Sequence, residues 1–481
     1  MSVRKALAIS SLEKNTGTIL NLVMMVAISR LLSPDEIGIH VIGASIAMLA
    51  AELKSFGMGG YLVREKEINT IKVRSTFTVS MFFSFTLGGI LIVAAPFIAN
   101  FYNDQRLIPV LLLFSIGFFV SPFSIVTSAV LTRNFQFGKL SIVRLGEVIM
   151  SAASTLILIY FEFGYISLAI GTVIGNISST MLFFIFRPKV VSYLPYFRDL
   201  KIVMKSGFFT SFAALIRRGA TVSPELIIGK MAGINDAALF SRGAGFVQFS
   251  RGVILGIISP VVAPYLAKSN REGEILADSY INVNLLVGGI CWPILAVAGV
   301  FAEQAITLLF GQQWVASAPI ASILVISALI SMIFVNFEQL LLTIGKEKYT
   351  FYYQIVLTIF TIASCIGAAL IDSSYVPFAL ITSSVLQVLM QAILFKKFFD
   401  INIITYIWKL KRSISITATC FIAAWFIEYL VTKFELNAFF AIVILVIIMP
   451  PFWLISVIIF KHPIFSEVNK LIFALKKHIF N

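Results

Sequence analysis

Apolar runs of helix-spanning length recur from one end of this 481-residue chain to the other, and no other feature constrains its fold as much. About twenty apolar residues wound as an α-helix cross the hydrocarbon core of a bilayer. The runs are continuously apolar and do not alternate in short segments of about ten residues, so they imply helices and not a β-barrel. In lipid each backbone polar group must be satisfied internally, and a helix does this within one segment. Hydrophobic residues make up 59% of the chain and charged residues 12%, with a mean hydropathy of +0.97. A soluble domain carries about 25% charged residues. The chain therefore reads as an all-α polytopic membrane protein. Its first run continues to Leu32 without a small-residue cleavage site and is expected to be a retained span, not a signal peptide.

Fourteen transmembrane helices are expected. The first six are Leu12–Leu32, Ile37–Tyr61, Ser75–Phe101, Leu107–Leu131, Leu140–Phe161 and Gly164–Phe186. The next six are Gly207–Met231, Ala237–Pro260, Asn282–Phe310, Ala318–Leu342, Phe351–Ile371 and Val376–Phe395, followed by Ser413–Val431 and Leu436–Phe460. Basic residues set the orientation, because Lys and Arg accumulate in cytoplasmic loops. With the N-terminus inside, only Arg30, Arg106, Lys230 and Lys433 of the 37 Lys and Arg fall in external loops. Lys54, Arg217, Arg218, Arg242 and Arg251 lie inside spans, and the remainder line the cytoplasmic side. One span more or fewer in mid-chain would destroy that alternation, so both termini are expected in the cytoplasm. The net charge of +14 then belongs to a face beside anionic lipid and calls for no nucleic acid.

A weak internal repeat lies at an offset of about 200 residues: SRLLSPDEIGIHVIGAS (Ser29–Ser45) over GKMAGINDAALFSRGAG (Gly229–Gly245). Both copies end an odd-numbered span and enter the next in the same orientation, the pattern of parallel repeats in some transporters. The expected organisation is an N-terminal lobe over 1–187, a cytoplasmic linker over 188–204 and a C-terminal lobe over 205–397. Two accessory spans over 398–460 and a basic amphipathic tail over 461–481 complete it. The segments 187–205 and 396–412 are basic and aromatic and are expected along the membrane surface.

Charges inside spans are costly, at least ~2.5–3.5 kcal/mol each at the bilayer centre, and they almost always face a bundle interior or a wet cavity. FAALIRRGATVSPELIIGKM (Phe212–Met231) carries Arg217, Arg218 and Glu225 in one span. Arg218 and Glu225 share a face at i, i+7, while Arg217 is turned by ~100°. The proline of Ser223-Pro224 favours a kink. Arg242 and Arg251 follow in the next span, with Gln248 on the Arg251 face, and Lys54 sits near the inner end of the second. Arg218, Arg251, Arg217, Arg242, Lys54 and Gln248 are the candidate substrate-binding residues of an electropositive cavity. Its ligand is expected to be an anion, and guanidinium suits phosphate through bidentate hydrogen bonds. Glu225, Glu52 and Glu147 are the candidates for charge pairing or for coupling to H+ or Na+, since a desolvated carboxyl holds its proton more tightly. The competing reading is structural: Arg242 and Lys54 snorkelling to opposite surfaces, and Arg–Glu pairs gluing helices together. No catalytic residues, metal site or cofactor are expected. Cys291, Cys365 and Cys420 are scattered through apolar runs, His40, His462 and His478 are equally dispersed, and Gly345-Lys346 lacks the P-loop pattern.

The opening SRLLSPDEIGIHVIGASIAMLAAELKSFGMGGYLVRE, GQQW at Gly311–Trp314 and LLTIGKEKYTFYYQ at Leu341–Gln354 together resemble the Wzx-type polysaccharide and O-antigen repeat-unit flippases. These form the PST family of the multidrug/oligosaccharidyl-lipid/polysaccharide (MOP) superfamily. The resemblance covers essentially the whole chain. It implies two six-helix lobes related by a pseudo-two-fold in a V-shaped fold, plus two C-terminal helices. The implied activity is movement of undecaprenyl-diphosphate-linked oligosaccharide across the bacterial cytoplasmic (inner) membrane by alternating access. The implied partners are that lipid-linked oligosaccharide, membrane lipid, and polysaccharide polymerase or assembly proteins. A peptidoglycan lipid-precursor flippase and a multidrug or ion antiporter of the same superfamily are the alternatives. An enzyme is disfavoured, because no loop is large enough to hold a catalytic domain.

Overall fold

A computed structural model describes residues 3–54, 58–197 and 200–466, so most of the tail expected over 461–481 lies outside the described residues. All regular elements among the described residues are helices. They are α1 (Val3–Leu31), α2 (Pro34–Lys54), α3 (Met58–Arg64), α4 (Thr70–Tyr102), α5 (Leu107–Arg133), α6 (Phe137–Tyr160), α7 (Ile166–Ile185), α8 (Leu200–Met231) and α9 (Ile234–Arg271). Then follow α10 (Leu276–Val300), α11 (Ala302–Phe310), α12 (Ala318–Ser331), α13 (Phe337–Thr343), α14 (Glu347–Ile371), α15 (Val376–Phe399), α16 (Ile403–Lys409), α17 (Lys411–Lys433) and α18 (Ala438–Ile459). Eleven helices among the described residues are long and apolar enough to cross a membrane. The other expected spans coincide with α1, α8 and α9, which have 29, 32 and 38 residues. These three are long enough to cross. The protein is an all-helical, multi-pass membrane protein.

The chain packs as two compact units, Met1–Ser241 and Arg242–Asn481. In the first, α4 lies on α5, α5 and α6 on α7, α1 on α6, and α8 against α2, α3 and α4. The SPDE sequence starts α2 by a capping box. Ser33 N–H donates to Glu36 Oε2 at 2.9 Å and Glu36 N–H to Ser33 Oγ at 3.3 Å. Two glycines one turn apart, in GTVIG (Gly171–Gly175), let α7 approach α6 closely. A Cβ on Gly175 would stand 2.9 Å from Ser151 Cβ and 3.0 Å from Glu147 O.

The segment 187–197 is bound to this unit by specific contacts. Arg74 donates to the carbonyls of Leu194 and Pro195, each at 3.0 Å, and Tyr196 N–H donates to Thr78 Oγ1 at 2.7 Å. Tyr193 rests in an aromatic cluster with Phe77, Phe123 and Phe184, its hydroxyl 2.7 Å from Thr127 Oγ1.

In the second unit, α10 packs on α12 and α17, α12 and α14 on α15, and α17 on α18. Two spans expected to be continuous are broken. The run Asn282–Phe310 divides into α10 and α11 at Phe301, and Ala318–Leu342 divides into α12 and α13 across 332–336. Backbone polar groups released within a membrane helix need substitute partners. Buried Asn284 supplies one, its Oδ1 accepting from Val335 N–H at 2.8 Å. Tyr406 of α16 supplies the other, donating to Ile333 O at 2.8 Å while its ring stacks on Phe334 at 4.3 Å.

Candidate functional site

Two helices of the first unit carry matching heptad pairs. On α2, Ser45 and Glu52 share a face; on α8, Arg218 and Glu225 do the same. The helices run antiparallel along this seam, so the pairs meet in reverse order. Arg218 Nε donates to Glu52 Oε1 at 3.0 Å, and Ser45 Oγ donates to Glu225 Oε2 at 2.7 Å. The Ser241 hydroxyl, near the start of α9, is a second neutral group acting on Glu225. The two residues of α8 that share a face thus pair with α2 and not with each other.

The charge network continues towards α5, α6 and α7. Lys54 Nζ sits 5.1 Å above the Phe118 ring, and Glu147 and Glu52 are the carboxylates whose fields it feels. Glu147 in turn lies in the fields of Lys54 and Arg144 and near the Ser179 hydroxyl, which donates to Asn176 O at 3.1 Å. Basic and acidic groups therefore alternate from Arg218 through Glu52, Lys54 and Glu147 to Arg144, all on helices of one unit. Arg217, turned away from Arg218 as its one-residue offset requires, is exposed.

The remaining candidates belong to the second unit. Arg242 is half-buried, its guanidinium 4.9 Å from the Trp314 ring and 5.6 Å from the Phe310 ring. Trp314 is fully buried and comes from the GQQW turn, so one role of that turn is to close an aromatic pocket on an arginine. Arg251 lies within the electrostatic reach of Cys291 on α10. Gln248 is exposed. A cavity of about 470 Å³ in the same unit is lined by α9, α10, α11, α17 and α18, including Phe246, Ile290, Val297, Leu445 and Trp453. Its lining is apolar apart from Ser250, so it accommodates hydrocarbon and not charge.

Sequence reading missed Ser45, Ser179, Ser241 and Arg144. The serines carry no charge to mark them, although Ser45 stands seven residues before Glu52. Arg144 was assigned to the basic cytoplasmic flank of its span, and its i, i+3 spacing to Glu147 was the available signal. Among the described residues no cluster of three or more His, Cys, Asp or Glu could hold a metal.

Comparison with known proteins gives this arrangement a family. A family described as "Polysaccharide biosynthesis protein" matches residues 27–319. The teichuronic acid biosynthesis protein TuaB of Bacillus subtilis (strain 168) is 21% identical over 342 residues, covering 70% of each chain. The lipopolysaccharide biosynthesis protein WzxC of Escherichia coli (strain K12) is 20% identical over 341 residues, covering 70% of this chain and 69% of that one. Among solved structures, the lipid II flippase MurJ in an inward closed conformation superposes with a TM-score of 0.72 at 14% identity, over 95% of this chain and 99% of that one. An inward-facing multidrug transporter of the MOP superfamily gives a TM-score of 0.63 at 13% identity, over 84% and 96%. The family model's match over residues 27–319, with an all-helical fold shared with these solved structures, places the chain in the polysaccharide biosynthesis protein family.

Proposed function

We propose that the protein is a flippase that moves a lipid-linked, diphosphate-bearing oligosaccharide from the cytoplasmic to the outer leaflet of a bacterial inner membrane, without chemical change to its cargo. The lipid is an undecaprenyl-type chain, both termini face the cytoplasm, and transport proceeds by alternating access. The observation that carries this reading is the set of basic groups at the end of α2 and midway along α8 in a chain of this family. A diphosphate cannot cross hydrocarbon unaided, and guanidinium groups replace its lost water with charge-assisted hydrogen bonds. Exposed Arg217, beside an Arg218 fixed by Glu52, makes the first anion contact, and Arg251 serves the second unit. The apolar cavity beside α17 and α18 supports a cargo with a hydrocarbon part.

Complementation of a strain lacking the protein tests this reading with Arg217→Ala, Arg218→Ala and Arg251→Ala, each paired with its Lys replacement at matched membrane abundance. Loss of surface glycan with Ala and partial recovery with Lys is expected. Full glycan export by every Ala variant would make these charges structural.

A further inference from the structure

Glu225 differs from the other intramembrane carboxylates of its unit in the company it keeps. Glu52 meets Arg218, and Glu147 lies in the fields of Lys54 and Arg144. The groups acting on Glu225 are two neutral hydroxyls, Ser45 of α2 and Ser241 of α9.

The titratable groups on neighbouring elements are directed elsewhere. On α4, the Tyr102 hydroxyl donates to Leu226 O at 3.2 Å. On α3, Arg64 Nε donates to its own Gly60 O. On α2, His40 packs edge-on to Phe114, Asp35 is held by Arg106, and Glu36 closes the capping box. Lys54 turns to Phe118 and Glu147. On α8 itself, Lys230 Nζ donates to Phe101 O and Arg218 to Glu52, while Arg217 is exposed. On α9, Asp236 lies in the first turn and Arg242 turns to the Trp314 and Phe310 rings.

The surroundings also hold the site shut. On α2, Gly38, Ile42 and Ser45 follow one face, and on α8 Glu225 and Gly229 follow another. A Cβ on Gly38 would stand 2.2 Å from Ile234 O, and one on Gly229 only 2.4 Å from Ile42 Cδ1. Ile42 of α2 thus packs directly on the α8 backbone at Gly229, and the start of α9 packs directly on the α2 backbone at Gly38. Just before Glu225 lies a joint: Pro224 cannot donate to Ala220 O, and the Ser223 hydroxyl reaches that carbonyl at only 3.4 Å.

We propose that Glu225 is a reversible proton-binding site whose exchange is gated by the α2–α8–α9 seam. With the seam packed, two hydroxyls serve a neutral carboxyl well and give a charged one no counter-ion. When the Pro224 joint swings the outer part of α8 from α2, water reaches the carboxyl and compensates its charge. Proton uptake and seam closure are then linked, as a ligand is to the state it binds better. The inference depends on the flippase reading for its purpose but not for the site, so its test involves no transport.

Purified full-length protein in lipid nanodiscs is titrated by infrared difference spectroscopy as wild type, Glu225→Gln and Ser45→Ala. A carboxylic-acid carbonyl band that titrates in wild type is expected to vanish in Glu225→Gln. In Ser45→Ala its midpoint moves to higher pH, because a donor to the ionised form is gone. An unchanged band in Glu225→Gln, or an unmoved midpoint in Ser45→Ala, would overturn the site. Sodium displacing the band at constant pH would replace the proton with a metal cation and equally defeat the proposal. For the gate, Val222→Cys, a buried position on α8, is labelled with a water-soluble maleimide and normalised to denatured protein at each pH. Labelling is expected to rise with pH, and to stay flat when Glu225→Gln is added. The same pH response with and without Glu225 would remove the coupling.

Discussion

Arg218 Nε lies 3.0 Å from Glu52 Oε1, joining residues 166 positions apart in the chain, and no charged partner on α8 itself is as close. Their side chains retain 39% and 25% exposure, which leaves the guanidinium able to reach an anion while one carboxylate orients it. Exchanging the charges, as Arg218→Glu with Glu52→Arg, is expected to restore the ~1 kcal/mol of thermal stability lost in either single variant. Surface glycan export is not restored if the arginine must sit on α8. Melting and export measured on the same membranes separate the two roles.

Gly38 has no room for a side chain, because the obstructing atom is the backbone oxygen of Ile234. Gly38→Ala is expected to destabilise the protein by about 1–3 kcal/mol. Gly89→Ala, where nothing stands within 4 Å of a new Cβ, is expected to be neutral or slightly stabilising. Melting of the two purified variants makes the comparison, and equal effects would contradict the packing.

Asn284→Leu keeps the volume of a buried side chain but removes the acceptor for Val335 N–H. A loss of about 1–3 kcal/mol is expected from the orphaned donor. Tyr406→Phe, which frees the Ile333 carbonyl at the same break, is expected to cost less, because a carbonyl tolerates an unmet bond better than an N–H. Thermal melting ranks the two.

His462, just past α18, is 2% exposed and bonded to Ser413 Oγ at 3.0 Å, while its Nδ1 accepts from Ile464 N–H. Burial, reinforced by Arg412, lowers its pKa from 6.5 to about 4. The folded state therefore resists a proton that the unfolded chain accepts. The contribution is present above pH 6.5 and fades as pH falls towards 4, by up to about 3 kcal/mol. His462→Gln is expected to flatten the melting temperature over that interval in a detergent pH series.

Trp314→Leu removes the larger of the two rings facing Arg242. Stability is expected to fall by about 3 kcal/mol or more from the lost volume, and Arg242→Met in that background to cost little further. A full additive loss on melting would show that the ring does not hold the guanidinium.

The sequence by itself determined the class and much of the secondary structure. Apolar runs near membrane length leave the backbone no alternative to helices, and the runs at α4 to α7, α14, α15, α17 and α18 were legible for that reason. It also marked the costly residues, because a charge in an apolar run contrasts with everything around it. Partners were decided only by tertiary structure. The i, i+7 spacing put Arg218 and Glu225 on one face, but which helix met that face depended on α2 lying antiparallel to α8 with Ser45 and Glu52 in register. The breaks at Phe301 and 332–336 were invisible for a related reason. An apolar run looks continuous unless one knows that Asn284 and Tyr406, distant in sequence, stand ready to satisfy the opened backbone. Local periodicity is written along the chain; long-range hydrogen bonds and ion pairs exist only once the chain has folded.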